Sequence, residues 1–307
     1  MTPTHTAFFS APSSFDPEFE TPFIKMHGLR NAFVILDGRK HKRHFKSADI
    51  ERICDADAGI GADELLVIEP PTEAGRLAGA AALMRIFNID GREVGACGNA
   101  TRCIAYLLMN ETRANEVLIE TAAGVLACRD GGPMTVSVEV GPISLDWRRV
   151  PLSQPADTLD LPLTSGPLAN GVAVNVGNPH AVFFVSSIVD VDLPTHAPAI
   201  QNHPLFAEGA NVGAAELVDE SAIRLAVWER PGILTQACGT GACAAVFAAC
   251  RRNLIKGREV TVHLPGGAMT VAIDGDMATM TGPVAFCCRG YVSLSTGNRS
   301  TSAGRAA

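Results

Sequence analysis

No apolar run in the chain approaches the roughly 18 to 20 residues needed to cross a bilayer. The longest stretches, such as Cys243 to Cys250 and Ala181 to Val185, are far shorter, so no transmembrane helix or membrane partner is expected. The first twenty residues have neither a basic start nor an apolar core, and read as a loose N-terminal arm rather than an export signal. Positive charge is also scarce. With a net charge of −7 there is no long-range field to gather nucleic acid or an anionic membrane. The one basic cluster, Arg39 to Lys46, lacks interleaved aromatic residues and reads as a solvated loop. Metal signatures are missing as well: there is no C-x-x-C or H-E-x-x-H, and Cys97/Cys103 and Cys238/Cys243 have five and four intervening residues. Gly59-Ile60-Gly61 lacks the third glycine of a dinucleotide fingerprint, and no glycine loop is followed by Lys-Ser/Thr. No Schiff-base lysine motif stands out. No cofactor and no metal are therefore expected.

What remains is an ordinary globular composition, 47% hydrophobic and 19% charged over 307 residues, enough for one large domain or two of roughly half that length. The nine cysteines are an odd number without an export signal, which points to reduced thiols and a cytoplasmic location. Cys54, Cys128, Cys250, Cys287 and Cys288 lie in apolar or strand-like surroundings and read as small buried hydrophobes.

Cys97 and Cys238 stand apart because their surroundings are duplicated. Met84 to Tyr106 (MRIFNIDGREVGACGNATRCIAY) and Leu225 to Val246 (LAVWERPGILTQACGTGACAAV) align on Ala-Cys-Gly with an offset of 238 − 97 = 141 residues. The same offset places Asn88 on Glu229 and Gly91 on Gly232. Each segment has an alternating apolar strand, a glycine turn, then Cys-Gly opening an Ala-rich helix. Gly28 to Asp37 and Val176 to Val185 echo each other upstream. These repeats predict two homologous halves, joined by the proline-rich stretch Gly141 to Pro167. Further strands are expected at 117–121, 134–140, 172–175, 260–264 and 268–273, and the small, polar tail after Ser293 reads as disordered.

A thiol in the first turn of a helix faces unpaired N–H groups and the positive end of the dipole, which favours thiolate. The same helix ends can bind a carboxylate. One such cysteine reads as an inert packing residue, but two related by duplication can face one substrate from opposite sides. One would remove an α-proton while the other returns one, a geometry suited to racemisation.

At these residues the chain resembles the diaminopimelate epimerases, the pyridoxal-phosphate-independent isomerases of bacterial and plant lysine synthesis. The likeness runs from about Phe23 to Leu294 through KMHGLRNAFVILD, GIGADELLV, RIFNIDGREVGACGNATRC, VGNPHAVFFV, GANVGAAELV and VWERPGILTQACGTGACAAV. It implies epimerisation of LL-2,6-diaminopimelate to the meso isomer, for lysine and peptidoglycan precursors. By the resemblance Cys97 and Cys238 are the two catalytic bases. Gly98, Asn99, Gly239 and Thr240 hold the carboxylate at the reacting carbon. Asn31, Asn88, Asn178, Asn211 and Arg230 bind the distal end of the substrate, Glu229 helps seat its ammonium groups, and His180 plays a supporting role.

The implied fold is α+β: two similar domains, each a curved, mostly antiparallel sheet wrapped around a central helix, with the active site in the cleft between them. The expected boundaries are an arm at 1–21, an N-terminal domain at 22–141 plus 281–294, a C-terminal domain at 142–280 and a tail at 295–307. The last strand should return to the N-terminal domain. Members of the family often form dimers, so a homodimer is an implied partnership beside the small amino-acid substrate.

Three other readings compete. A proline or hydroxyproline racemase of the same fold typically has histidine where this chain has Asn99, and proline has no distal carboxylate for Arg230. A noncatalytic amino-acid binder would need the helix N-termini but not two thiols. A redox dithiol usually occupies one C-x-x-C turn. The chain departs from the family pattern at Arg30-Asn31-Ala32-Phe33, at Pro231 to Thr235, at Ala100 and at Glu64, and Glu64 is assigned no contact.

Overall fold

The computed structural model describes residues 20–40, 45–257 and 259–293. The expected arm up to residue 19, the tail at 295–307 and residues 41–44 of the basic cluster lie outside the described residues. The duplication is visible in the strand pairing. In the first half, Glu20–Gly28 forms a hairpin with Asn31–Asp37, which runs parallel to Glu64–Glu69. Glu64–Glu69 is antiparallel to Ala82–Asn88, which takes Glu93–Val94 antiparallel and Glu116–Thr121 in parallel. Gly124–Asp130 and Thr135–Val140 follow as antiparallel neighbours.

The second half repeats the sequence of pairings. Leu168–Asn175 and Pro179–Val185 form the hairpin, and Asn211–Asp219 is the parallel neighbour. Ala222–Glu229 then takes Ile233–Leu234 antiparallel and Glu259–Leu264 in parallel, followed by Gly267–Asp274 and Met277–Pro283. Each half gains one outer strand: Leu161–Ser165 beside Leu168–Asn175, and Ala285–Ser293 beside Glu20–Gly28. The last described strand thus returns to the first described one, whose described residues start at Glu20, two residues ahead of the expected domain start.

The halves join where Thr135–Val140 pairs with Met277–Pro283, placing Val138 opposite Met280. The expected boundary between residues 280 and 281 therefore falls inside a strand that is hydrogen-bonded to both halves. The joint follows from side-chain alternation. Val136, Val138 and Val140 point inward between half-exposed Thr135, Ser137 and Glu139, a period of two that fixes which face is buried.

Among the described residues five helices punctuate the strands: α1 (Ser47–Cys54), α2 (Glu73–Leu77), α3 (Gly98–Thr112), α4 (Leu193–Gln201) and α5 (Gly239–Arg251). The segment Gly239 to Ala249 of α5 is buried apart from Thr240, as expected of a helix that is apolar all round and enclosed by sheet. α3 buries Ala100, Cys103, Ile104, Ala105, Leu107 and Leu108. Both helices belong to one core with the strands of both halves, while smaller clusters lie under α4 and α1.

The expectation of burial is corrected at three cysteines. Cys54 and Cys128 are buried, but Cys287 and Cys288 are exposed and Cys250 is half-buried. Among the described residues Ala285–Ser293 has a registered partner strand on one side only, so alternation in its sequence does not bury its residues. No helix among the described residues is long and apolar enough to cross a membrane.

Candidate active site

α3 and α5 begin side by side. A methyl group built on Gly98 would lie 2.3 Å from Met280 Cε, and one on Gly239 would lie 3.0 Å from Met280 Sδ and 3.8 Å from the Gly98 Cα. Absence of a side chain at both positions lets the two backbones converge over Met280, on the strand that unites the halves. Cys97 and Cys238 precede the helices as N-caps, both with extended backbone (φ −149°, ψ 111° and φ −124°, ψ 106°). By helix geometry the amides of Gly98, Asn99, Gly239 and Thr240 have no acceptor within their own helices. They form the walls where the helix dipoles converge.

Around Cys97, Sγ donates to Asn31 Oδ1 at 3.6 Å, and the thiol also contacts the Glu64 carboxyl. Asn99 Nδ2 donates to Asn31 Oδ1 and to the Ala237 carbonyl, both at 3.1 Å, tying the two halves together. Fully buried Arg102 donates to Asn99 Oδ1 at 2.6 Å and so fixes its amide orientation. Asp63 Oδ2 accepts from Asn31 Nδ2 at 3.1 Å and from Ala32 N at 2.7 Å.

Around Cys238, Sγ accepts from Gly241 N at 3.3 Å, lies 3.6 Å from Thr240 Oγ1 and contacts the Glu229 carboxyl. Glu229 Oε1 in turn accepts from Thr235 Oγ1 at 2.5 Å. His180 is buried, with Nε2 at 3.0 Å from Asn178 Oδ1 and 3.1 Å from Thr240 Oγ1. Burial and the charge of Arg230 push its pKa down to about 3, so the imidazole is neutral at physiological pH. Asn211 Oδ1 accepts from Arg230 N at 2.9 Å, and Arg230 Nη1 donates to the Glu208 carbonyl at 2.8 Å.

At both sulfurs the surroundings work against the thiolate that the helix ends are expected to favour. Burial, followed by the charge of Glu64, pushes the Cys97 thiol well up; contact with Ala100 N opposes this without prevailing. Burial and Glu229 do the same to Cys238 against the pull of Thr240 and Gly241 N.

A cavity of about 410 Å³ lies between the helix starts. Asn31, Asn88, Cys97, Gly98, Asn99, Asn178, Glu229, Arg230, Cys238, Gly239 and Thr240 all line it, whereas buried Asn211 and His180 stand behind the wall. Sequence reasoning left out Arg30, Asp63, Glu64, Asp90 and Arg92 among the lining residues, and buried Arg102 behind Asn99. The signal available for Asp63 and Glu64 is their place in GIGADELLV at the mouth of a strand. Loops before strands often carry site residues.

Two mirrored halves with a helix start from each at one shared cleft define the fold seen in racemases and epimerases. A hydroxyproline epimerase from Agrobacterium vitis, solved with trans-4-hydroxy-L-proline bound, matches with a TM-score of 0.65 at 17% identity, covering 92% of this chain and 95% of that one. The family model described as diaminopimelate epimerase matches residues 23–145 and 172–287, and the chain belongs to that family of isomerases. It is 44% identical over 272 residues to the diaminopimelate epimerase of Rhodospirillum centenum (88% of this chain, 92% of that one). It is 46% identical over 270 residues to that of Acidiphilium cryptum (88% and 95%).

Proposed function

We propose that the protein inverts one α-carbon of LL-2,6-diaminopimelate to give the meso isomer, using Cys97 and Cys238 as the acid–base pair and no pyridoxal phosphate. The observation that carries this reading is the pair of cysteine N-caps at one cavity, each thiol touching a carboxylate. The substrate's α-carboxylate sits against the free amides of Gly98, Asn99, Gly239 and Thr240, where positive dipole ends offset the charge that builds up as the proton leaves. One sulfur, as thiolate, takes the proton from one face; the other delivers its thiol proton to the opposite face. The pair ends with its protonation reversed.

Arg230 grips the distal carboxylate, with Asn31, Asn88 and Asn178 lining the same cavity and Asn211 holding the backbone of Arg230. Glu229 receives an ammonium group, and neutral His180 anchors Asn178 and Thr240. The crowd of carboxylates at Asp63, Glu64 and Glu229 suits a substrate carrying two ammonium groups. The protein acts in the cytoplasm, as a homodimer, in lysine and peptidoglycan precursor synthesis. Chiral chromatography of LL-diaminopimelate, proline and L-lysine after incubation tests the assignment: conversion of the first alone supports it, and efficient racemisation of proline or lysine overturns it.

A further inference from the structure

Among the described residues, Glu64 Oε2 is the one buried carboxylate oxygen without a hydrogen-bond partner. Part of the same side chain lines the cavity and meets the Cys97 thiol. Its counterpart in the other half explains the arrangement. Glu64 opens its strand opposite Asn88, which closes the neighbouring one. In the second half Asn211 opens the strand and Glu229 closes its neighbour. Each half thus carries one carboxylate and one amide in exchanged positions, and each carboxylate reaches the cysteine of its own half. They differ in one respect: Glu229 already accepts from Thr235, whereas Glu64 Oε2 holds no hydrogen bond.

We propose that Glu64 acts through Cys97 as its proton acceptor, making the Cys97 side of the reaction proposed above a carboxylate–thiol relay. The Cys97 thiol leaves Asn31 Oδ1 and turns to the Glu64 carboxyl, where the Sγ–H bond breaks as an O–H bond forms. The thiolate then takes the α-proton, re-forming S–H, while the α-carbon keeps the electron pair. In the return direction the thiol protonates the carbon, and the thiolate recovers its proton from Glu64. Four titratable groups face Glu64: Cys97 at the head of α3, Cys54 on α1, the preceding Asp63, and Glu229 across the cleft. Burial, chiefly, lifts its carboxyl to about 7; contact with Cys97 opposes this, and Glu229 and Asp63 add to it. A carboxyl so placed can exchange a proton at neutral pH, where an ordinary one would remain ionised.

The experiment measures iodoacetamide alkylation of Cys97 and Cys238 against pH, by peptide mapping, in the wild type, Glu64→Gln and Glu64→Asp. Epimerisation rates are taken across the same pH range. With the relay, wild-type Cys97 shows a reactivity plateau beginning near pH 7, because the pair shares one proton. Glu64→Gln loses that plateau, Glu64→Asp keeps it, and Cys238 is labelled alike in all three, which also reports intact folding. In Glu64→Gln, kcat falls about a hundredfold with little change in KM. An unchanged Cys97 profile in Glu64→Gln overturns the relay, and so does a rise in KM alone, which would mark Glu64 as a substrate contact. A wild-type protein that fails to epimerise diaminopimelate sinks the proposed function instead, while the alkylation profiles still decide the relay.

Discussion

Gly98 and Gly239 begin their helices so close together that a methyl group on Gly239 would stand 3.8 Å from the Gly98 Cα, with Met280 filling the space beneath both. Two anion-attracting helix ends are thereby held at one point by packing alone. Gly98→Ala puts a methyl 2.3 Å from the Cε of fully buried Met280, so it should cost about 1–3 kcal/mol in urea denaturation. Gly98→Ala combined with Met280→Ala should cost less than the sum of the two single changes. Strict additivity would show that the two residues do not compete for this space.

His180 sets a pH dependence of stability. Its folded pKa, about 3, lies below the ordinary value of 6.5, so between these values the unfolded chain binds a proton that the folded chain refuses. The contribution is complete above pH 6.5 and is lost as pH falls toward 3, with a limiting slope of ~1.4 kcal/mol per pH unit. His180→Gln should flatten denaturation midpoints measured between pH 6.5 and 4. Equal slopes in both proteins would place the acid sensitivity elsewhere.

Arg30 occupies a position that costs stability. It follows Leu29 in a two-residue turn between paired Gly28 and Asn31, and both turn residues have positive φ, 54° for Leu29 and 67° for Arg30. Left-handed backbone costs roughly 1–2 kcal/mol for a residue with a side chain, partly offset by the greater unfolded freedom of glycine. Arg30→Gly should therefore stabilise by up to about 1 kcal/mol. A loss of stability would mean that the guanidinium makes contacts outweighing the backbone strain.

How much of this was legible depends on whether the two halves kept the same residue. Cys97 and Cys238 kept it, as did the glycines after them, so the offset of 141 exposed both helix starts and the cleft. Glu64 and Asn211 occupy matching strand starts with different residues, and nothing in the linear pattern linked Glu64 to a thiol 33 residues further on (97 − 64). The upward push on both thiols was hidden for the same reason: it depends on Glu64 and Glu229, which only folding brings there. α4 carries Pro194 and Pro198 and gives no apolar helical stripe to read, and Cys287 and Cys288 look like core until the outer position of their strand is known.

Arg230 tests substrate choice. Its guanidinium can form two parallel hydrogen bonds to a carboxylate, a geometry that lysine does not reproduce. In steady-state kinetics Arg230→Lys should raise the KM for diaminopimelate about tenfold or more, corresponding to at least ~1.4 kcal/mol of binding. Unchanged kinetics would remove Arg230 from the distal subsite.

The two-thiol account is tested most directly by following LL-diaminopimelate in deuterated water with the wild type, Cys97→Ala and Cys238→Ala, by chiral separation and mass spectrometry. The wild type should yield meso product with one deuterium at the inverted α-carbon. Each folded variant should lose about 10²–10⁴-fold in rate. Meso product without deuterium, or a folded single variant turning over near the wild-type rate, would contradict an inversion that passes a proton through both cysteines.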